Sequence, residues 1–213
     1  MKNPTDVHQI WLQGGAPPSP LKEYTNQVRE LCQQNGYIYR LWDFSDLEDL
    51  TEESQKLFLF LSPRCSDISQ QSNVLRYLIL QNCGGLYLDV DVRILRLPGS
   101  LEGAWVPTAR NMHRIGSFAL ACPPGHPWIV RLVQMCSQSP LHVSHSAGSK
   151  LVADSLSPDV NRWPLEAWRD TKRQQAEYGC HRYAGTKMGH FKIPPILIPA
   201  NRKSSLDMMI EGC

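Results

Sequence analysis

Apolar positions along the chain follow two periods, and the switch between them singles out one stretch. From Ser72 to about Asn82, Val74, Leu75, Leu78 and Ile79 recur at helical spacing, which predicts an amphipathic helix. Ser72 stands where an N-cap belongs, and Gly84-Gly85 offers the left-handed positions that end a helix. Leu86, Tyr87, Leu88 and Val90 then make a short run of strand type, with Asp89 and Asp91 where it ends.

The same pattern organises the rest. Val7 to Leu12 predicts a strand, broken by Gln13-Gly14-Gly15-Ala16-Pro17-Pro18. Residues 19–35 read as a helix with Tyr24, Val28, Leu31 and Cys32 on one face, and Tyr37 to Trp42 as a second strand. Asp43 follows, before a helix start at Ser45-Asp46-Leu47-Glu48. Residues 46–71 predict one or two small helices. Val92–Leu97, Trp105–Pro107 and Ile115–Ala121 predict further strands, and Pro127 opens a helix over Ile129 to Ser137 behind a structural His126. Residues 138–170 read as loop and helix with little strand signal, and the Pro-broken run Ile193–Pro199 as an edge strand or packing tail.

Candidate chemistry gathers at Asp89 and Asp91. In an extended segment residues i and i+2 point to the same side, so both carboxylates would face one point. Two converging carboxylates repel, and a hard divalent cation such as Mn²⁺ or Mg²⁺ relieves that while keeping positions for water and substrate phosphates. A D-x-D is common by chance, so its context decides between a solvated turn and a site.

Composition bounds the rest. The chain has 213 residues, 42% hydrophobic and 20% charged, ordinary for a globular domain with a substantial core. No run approaches the roughly 18 apolar residues of a membrane span. Met1-Lys2-Asn3-Pro4-Thr5-Asp6 lacks a signal peptide's apolar stretch. Seven cysteines without a C-x-x-C pair, several inside apolar runs, fit a reducing, cytoplasmic setting better than a disulfide framework. The net charge of +2 is uneven: residues 1–109 carry nine Lys and Arg against thirteen Asp and Glu, and residues 110–213 carry thirteen against seven. A basic second half either confers solubility or suits a polyanionic acceptor.

The order S-N-x-x-R-Y-x-x-L-x-x-x-G-G-x-Y-x-D-x-D over residues 72–91 resembles the core signature of glycosyltransferases with a D-x-D sugar-binding region. That group includes yeast initiating mannosyltransferases, capsular-polysaccharide transferases and, more distantly, clostridial glucosylating toxins. Val7-His8-Gln9-Ile10-Trp11 is similar to the family's opening strand, I-H-Q-x-W. The resemblance implies an α/β domain of GT-A type, with a mostly parallel central sheet flanked by helices. It implies one domain over 1–213, with a donor- and metal-binding core (1–137) and acceptor-side and C-terminal elements (138–213).

The resemblance also implies roles. Asp89, Asp91 and Arg76 form the catalytic set. Trp11, Gln9, Asp43, Asn73, Arg76, Tyr87 and Asp89 bind the sugar donor, joined by Thr186 and Lys187 in a late element. Asp91, Asp89 and His181 hold Mn²⁺ or Mg²⁺. Two positions depart from the pattern: Asn73 replaces the usual Asp, and Lys187 stands where Trp is expected. Trp11 either stacks on the donor's base or packs in the core, and Asp43 either seats the donor or caps a helix. Arg162, Trp163, Trp168 and Arg169 interleave aromatics with cations, as an acceptor surface or as an amphipathic face. The implied reaction is metal-dependent transfer from a UDP-sugar to a hydroxyl acceptor, with retention at the anomeric carbon. A saccharide is the family's default acceptor and a hydroxymethylated DNA base its competitor. A non-catalytic sugar-nucleotide- or nucleic-acid-binding module is the reading from another class.

Overall fold

The computed structural model describes residues 6–99, 101–108, 115–143, 146–168 and 178–181. Their elements run β1 (Asp6–Ile10), α1 (Leu21–Asn35), β2 (Ile38–Trp42), α2 (Glu52–Leu61), α3 (Ile68–Cys83), β3 (Gly85–Leu88), β4 (Val92–Ile94), β5 (Ala104–Thr108), β6 (Ala119–Cys122), α4 (Pro127–Gln138), α5 (Ser149–Ser155), β7 (Val160–Pro164) and β8 (Gly179–His181). Six strands form one sheet in the order β2-β1-β3-β6-β5-β7, and β4 pairs with β8 apart from it. The pairings β1–β2, β1–β3 and β5–β7 are parallel, whereas β6 runs against both of its neighbours. A mixed α/β sheet results, parallel in its majority.

Strand alternation sorts side chains into two cores, one on each face. Tyr87, Leu120 and Cys122 join residues of α2, α3, α4 and α5 in one cluster. Leu86, Leu88, Ala119 and Ala121 join Val28 and Cys32 of α1, with Val92 and Ile94 of β4, in the other. Helices therefore cover both faces. No helix among the described residues is long and apolar enough to cross a membrane.

α3 begins a full turn earlier than its apolar spacing predicts. Asp67, not Ser72, is its cap, and the Asp67 carboxylate accepts from Gln70 N at 2.9 Å. Ser72 lies inside the helix because its hydroxyl folds back to donate to the Ile68 carbonyl at 3.0 Å. His126 does cap α4, its Nδ1 accepting from Trp128 N at 3.2 Å, with Pro127 as the first helical residue.

Two expectations about strands give way. β7 lies where little strand signal is legible. It is an edge strand with polar Asn161 and Arg162, and an edge tolerates Pro164. The D-x-D is not extended either: Val92 N donates to the Asp89 carbonyl at 3.1 Å and closes a four-residue turn over 89–92. The i, i+2 rule for strands does not apply to Asp89 and Asp91, because β3 ends at Leu88 and the chain turns at once into β4.

Candidate functional site

Arg76 organises the site. It sits on α3 within a run of buried residues, and its guanidinium makes three contacts. Nη1 donates to the Ser117 carbonyl at 2.5 Å, Nη2 lies 3.0 Å from Asp89 Oδ1, and Cζ stands 4.5 Å from the centre of the Tyr87 ring. The Tyr87 hydroxyl donates to the same Asp89 oxygen at 2.8 Å. Tyr87 and Asp89, two apart where β3 ends, thus meet one cation from one side. Burial alone would lower the Arg76 pKa, but the neighbouring carboxylates, Asp89 foremost and Asp91 with it, hold it above the usual range. Burial pushes the Tyr87 hydroxyl well up, and so it remains a hydrogen-bond donor. Asp91 is buried beside them, and its charge acts on both Arg76 and Tyr87.

Gln9 fastens this corner to the first strands. Its Nε2 donates to the Asp89 carbonyl at 3.1 Å, and its Oε1 accepts from the Tyr39 hydroxyl at 3.0 Å. Both ends of a fully buried amide are therefore satisfied across three strands. Trp11, the residue after β1, is buried without belonging to either apolar cluster. Its indole N–H has no partner among the described residues.

The glycine pair before β3 is a matter of space. A Cβ on Gly84 (φ +68°) would stand 2.5 Å from Pro124 Cδ, and one on Gly85 (φ +93°) would collide with the Asp6 carbonyl. His8 uses the closeness this allows. Trp42 Nε1 donates to His8 Nδ1 at 3.1 Å, and His8 Nε2 lies 3.0 Å from the Gly84 carbonyl. Desolvation lowers the His8 pKa to about 4, so the ring is neutral and structural.

The remaining candidates are placed as follows. Asn73, buried one turn before Arg76, donates through Nδ2 to Gln70 Oε1 at 3.4 Å. Asp43 caps the 3₁₀ turn Phe44–Asp49 in a reciprocal box with Asp46. The backbone of His181 pairs with Val92, the residue after Asp91. Thr186, Lys187 and Arg169 lie outside the described residues. Arg162 is exposed on β7, but Trp163 and Trp168 are buried in the core beside Phe118 and Tyr178. Placed so, these two rings supply packing and present no open face to an acceptor. The cysteines at 32, 65, 83, 122 and 136 are unpaired, and burial pushes their thiols up, Cys65 to about 11.

Sequence reasoning missed Tyr39, Ser117 and Gln70. Ser117 acts through its carbonyl, which no residue type announces. Gln70 is buried, its Nε2 donating to the Val143 carbonyl at 2.8 Å and to Ser146 Oγ at 2.9 Å while its Oε1 accepts from Ala147 N at 3.1 Å. No cluster of three or more His, Cys, Asp or Glu able to hold a metal occurs among the described residues. Among the described residues Asp89 and Asp91 offer hard oxygen donors beside one fixed cation, a set that fits Mg²⁺ or Mn²⁺ when substrate phosphates complete the shell.

Known proteins share parts of this chain. Residues 18–107 match the family model described as "Glycosyltransferase sugar-binding region containing DXD motif". An uncharacterized glycosyltransferase of Acanthamoeba polyphaga mimivirus is 27% identical over 72% of this chain and 64% of its own length. The inositol phosphoceramide mannosyltransferase 1 of Schizosaccharomyces pombe is 22% identical over 64% of this chain and 44% of its own. The chain thus spans less than two thirds of either relative. Among solved structures, the PaToxG glycosyltransferase superposes with a TM-score of 0.55 at 16% identity, covering 72% of this chain and 68% of that one. Residues 18–107 are therefore similar to the D-x-D-containing sugar-binding region of glycosyltransferases, and the chain carries them on a GT-A-type α/β fold.

Proposed function

We propose that the chain is a metal-dependent glycosyltransferase that moves a sugar from a UDP-sugar to a hydroxyl acceptor, with retention at the anomeric carbon and a saccharide as acceptor. The observation that carries this reading is the convergence of buried Arg76 and the Tyr87 hydroxyl on Asp89 Oδ1, with Asp91 two residues on. Asp89 and Asp91 bring two carboxylates to one turn, a donor set that suits a hard divalent cation.

Asp91 would hold the cation, with Asp89 beside it reaching the donor's ribose or sugar. Bound there, Mn²⁺ or Mg²⁺ would neutralise charge developing on the departing diphosphate. The chain's own groups set the stage. Arg76 and Tyr87 fix the Asp89 carboxylate, and Gln9 fixes its backbone, so neither has to reorganise when the donor arrives. Trp11 follows β1 with an indole N–H that no described residue accepts, and a donor group reaching it would supply that acceptor. Retention without a protein nucleophile would have the acceptor hydroxyl attack from the face that the diphosphate leaves, its proton passing to the departing diphosphate oxygen.

The test is release of UDP from a panel of UDP-sugars by purified protein with Mn²⁺. Methyl glycosides and DNA containing hydroxymethylcytosine are supplied in parallel, with Asp91→Asn as control. The reading expects release that needs both metal and Asp91. Nucleotide binding without any turnover would favour a binding module, and absence of UDP binding would sink the reading.

A further inference from the structure

Two serine hydroxyls meet near the site, and neither has a part in the chemistry above. Ser117 Oγ and Ser149 Oγ lie 3.2 Å apart, exposed, with either able to donate. They come from separate segments, 117 from the stretch entering β6 and 149 from the first residue of α5.

Both segments are fixed from beneath by α3. The Ser117 carbonyl takes Arg76 Nη1, and the next carbonyl, that of Phe118, accepts from Asp89 N at 2.8 Å. Ser149 follows a loop pinned at Ala147, whose carbonyl accepts from the Tyr77 hydroxyl at 2.6 Å and whose N–H donates to Gln70. Residues that anchor Asp89 therefore also set one serine, and their neighbours on the same helix set the other. Lys150, the next residue, is ion-paired with Asp154 at 2.5 Å, so the surroundings do not single out an anion.

We propose that the Ser117–Ser149 pair is a sugar-hydroxyl subsite of the transferase, an inference that rests on the function proposed above. A hydroxyl donates once and accepts twice, so two serines bonded to each other retain one donor and spare acceptor capacity between them. A saccharide hydroxyl has the same dual character and completes a chain of three, whereas a phosphate offers acceptors only. The sugar is that of the donor or that of the acceptor, and both present this chemistry.

Three readouts on the full chain separate the outcomes. These are metal-dependent affinity for UDP, KM for UDP-glucose and other UDP-sugars in donor hydrolysis, and KM for methyl glycosides in transfer. Ser117→Ala and Ser149→Ala should leave UDP affinity unchanged and raise one sugar KM by roughly five-fold each, the loss of one neutral hydrogen bond. Ser149→Thr, which keeps the hydroxyl, should restore it. A rise in the hydrolysis KM names the donor sugar, and a rise confined to transfer names the acceptor. A double alanine variant that binds UDP normally, with both sugar KM values unchanged, overturns the subsite alone. Failure of the unaltered protein to bind UDP overturns the subsite and the proposed function together.

Discussion

Trp42 Nε1 donates to His8 Nδ1 across two neighbouring strands, and this settles which nitrogen of the imidazole carries the proton. An indole nitrogen only donates, so Nδ1 is the acceptor and Nε2–H is left to donate to the Gly84 carbonyl. His8 thereby ties β2 and β1 to the entrance of β3.

A neutral His8 makes stability depend on pH. Its folded pKa, about 4, lies below the ordinary 6.5, so the unfolded chain binds the extra proton first as pH falls. The stabilisation is complete above about pH 6.5 and drains away towards pH 4. By linkage it amounts to roughly 3 kcal/mol. Urea unfolding between pH 7.5 and 4.5 should show a slope that His8→Gln removes. An equal slope in that variant would mean that other groups carry it.

Two glycines that both have positive φ should respond differently to alanine. Gly36 caps α1 at φ +71° with nothing within 4 Å of where a Cβ would stand, so Gly36→Ala should cost about 1 kcal/mol of backbone strain. Gly85→Ala adds a collision with the Asp6 carbonyl, and should exceed that cost by about 2 kcal/mol or leave the protein unfolded. Equal midpoints in denaturant would show that β1 and β3 move apart at no cost.

Gln9 and Tyr39 should be energetically coupled. Tyr39→Phe leaves Gln9 Oε1 buried without its donor, at about 1–2 kcal/mol. Gln9→Leu removes the bond to the Asp89 carbonyl as well and should weaken metal-dependent UDP binding. In a double-mutant cycle on stability the two losses should fall short of additivity by about 1 kcal/mol. Strict additivity would mean that the hydroxyl and the amide act independently.

Arg76→Met removes the buried cation paired with Asp89 and should cost about 3–5 kcal/mol. Mn²⁺ with UDP should narrow the gap, because a bound cation replaces the missing charge. Arg76→Lys keeps the charge but loses the fork that reaches Ser117 and Asp89 together, so it should fall between. Identical denaturation curves for the Met variant and the parent, without metal, would contradict the burial argument.

What the sequence revealed and concealed follows from where each signal resides. Arg76, Tyr87 and Asp89 were legible because their spacing on a helix and then a strand is written in residue types. The Gly84-Gly85 pair was legible as a helix end, but the close approach behind it was not. Ser117 was invisible because its contribution is a carbonyl. Asp67 was hidden because the polar run from Ser69 to Asn73 separates Ile68 from the apolar stripe that starts at Val74. Trp163 and Trp168 misled because an indole beside a cation reads alike on a surface and in a core. β7 gave no alternation, since among the described residues its only strand partner is β5.

The pairing of β4 with β8 has a consequence for how the protein is made. Val92, the last residue of the D-x-D turn, takes as its partner His181, 89 positions further along the chain. Contacts of such long range pay their loop-closure entropy late, after local helices and neighbouring strands have formed. During synthesis the first six elements emerge with Arg76, Tyr87 and Asp89 already in one supersecondary unit. The far flank of Asp91 has to wait for most of the remaining sequence, so the corner around the D-x-D should be completed only at the end of folding.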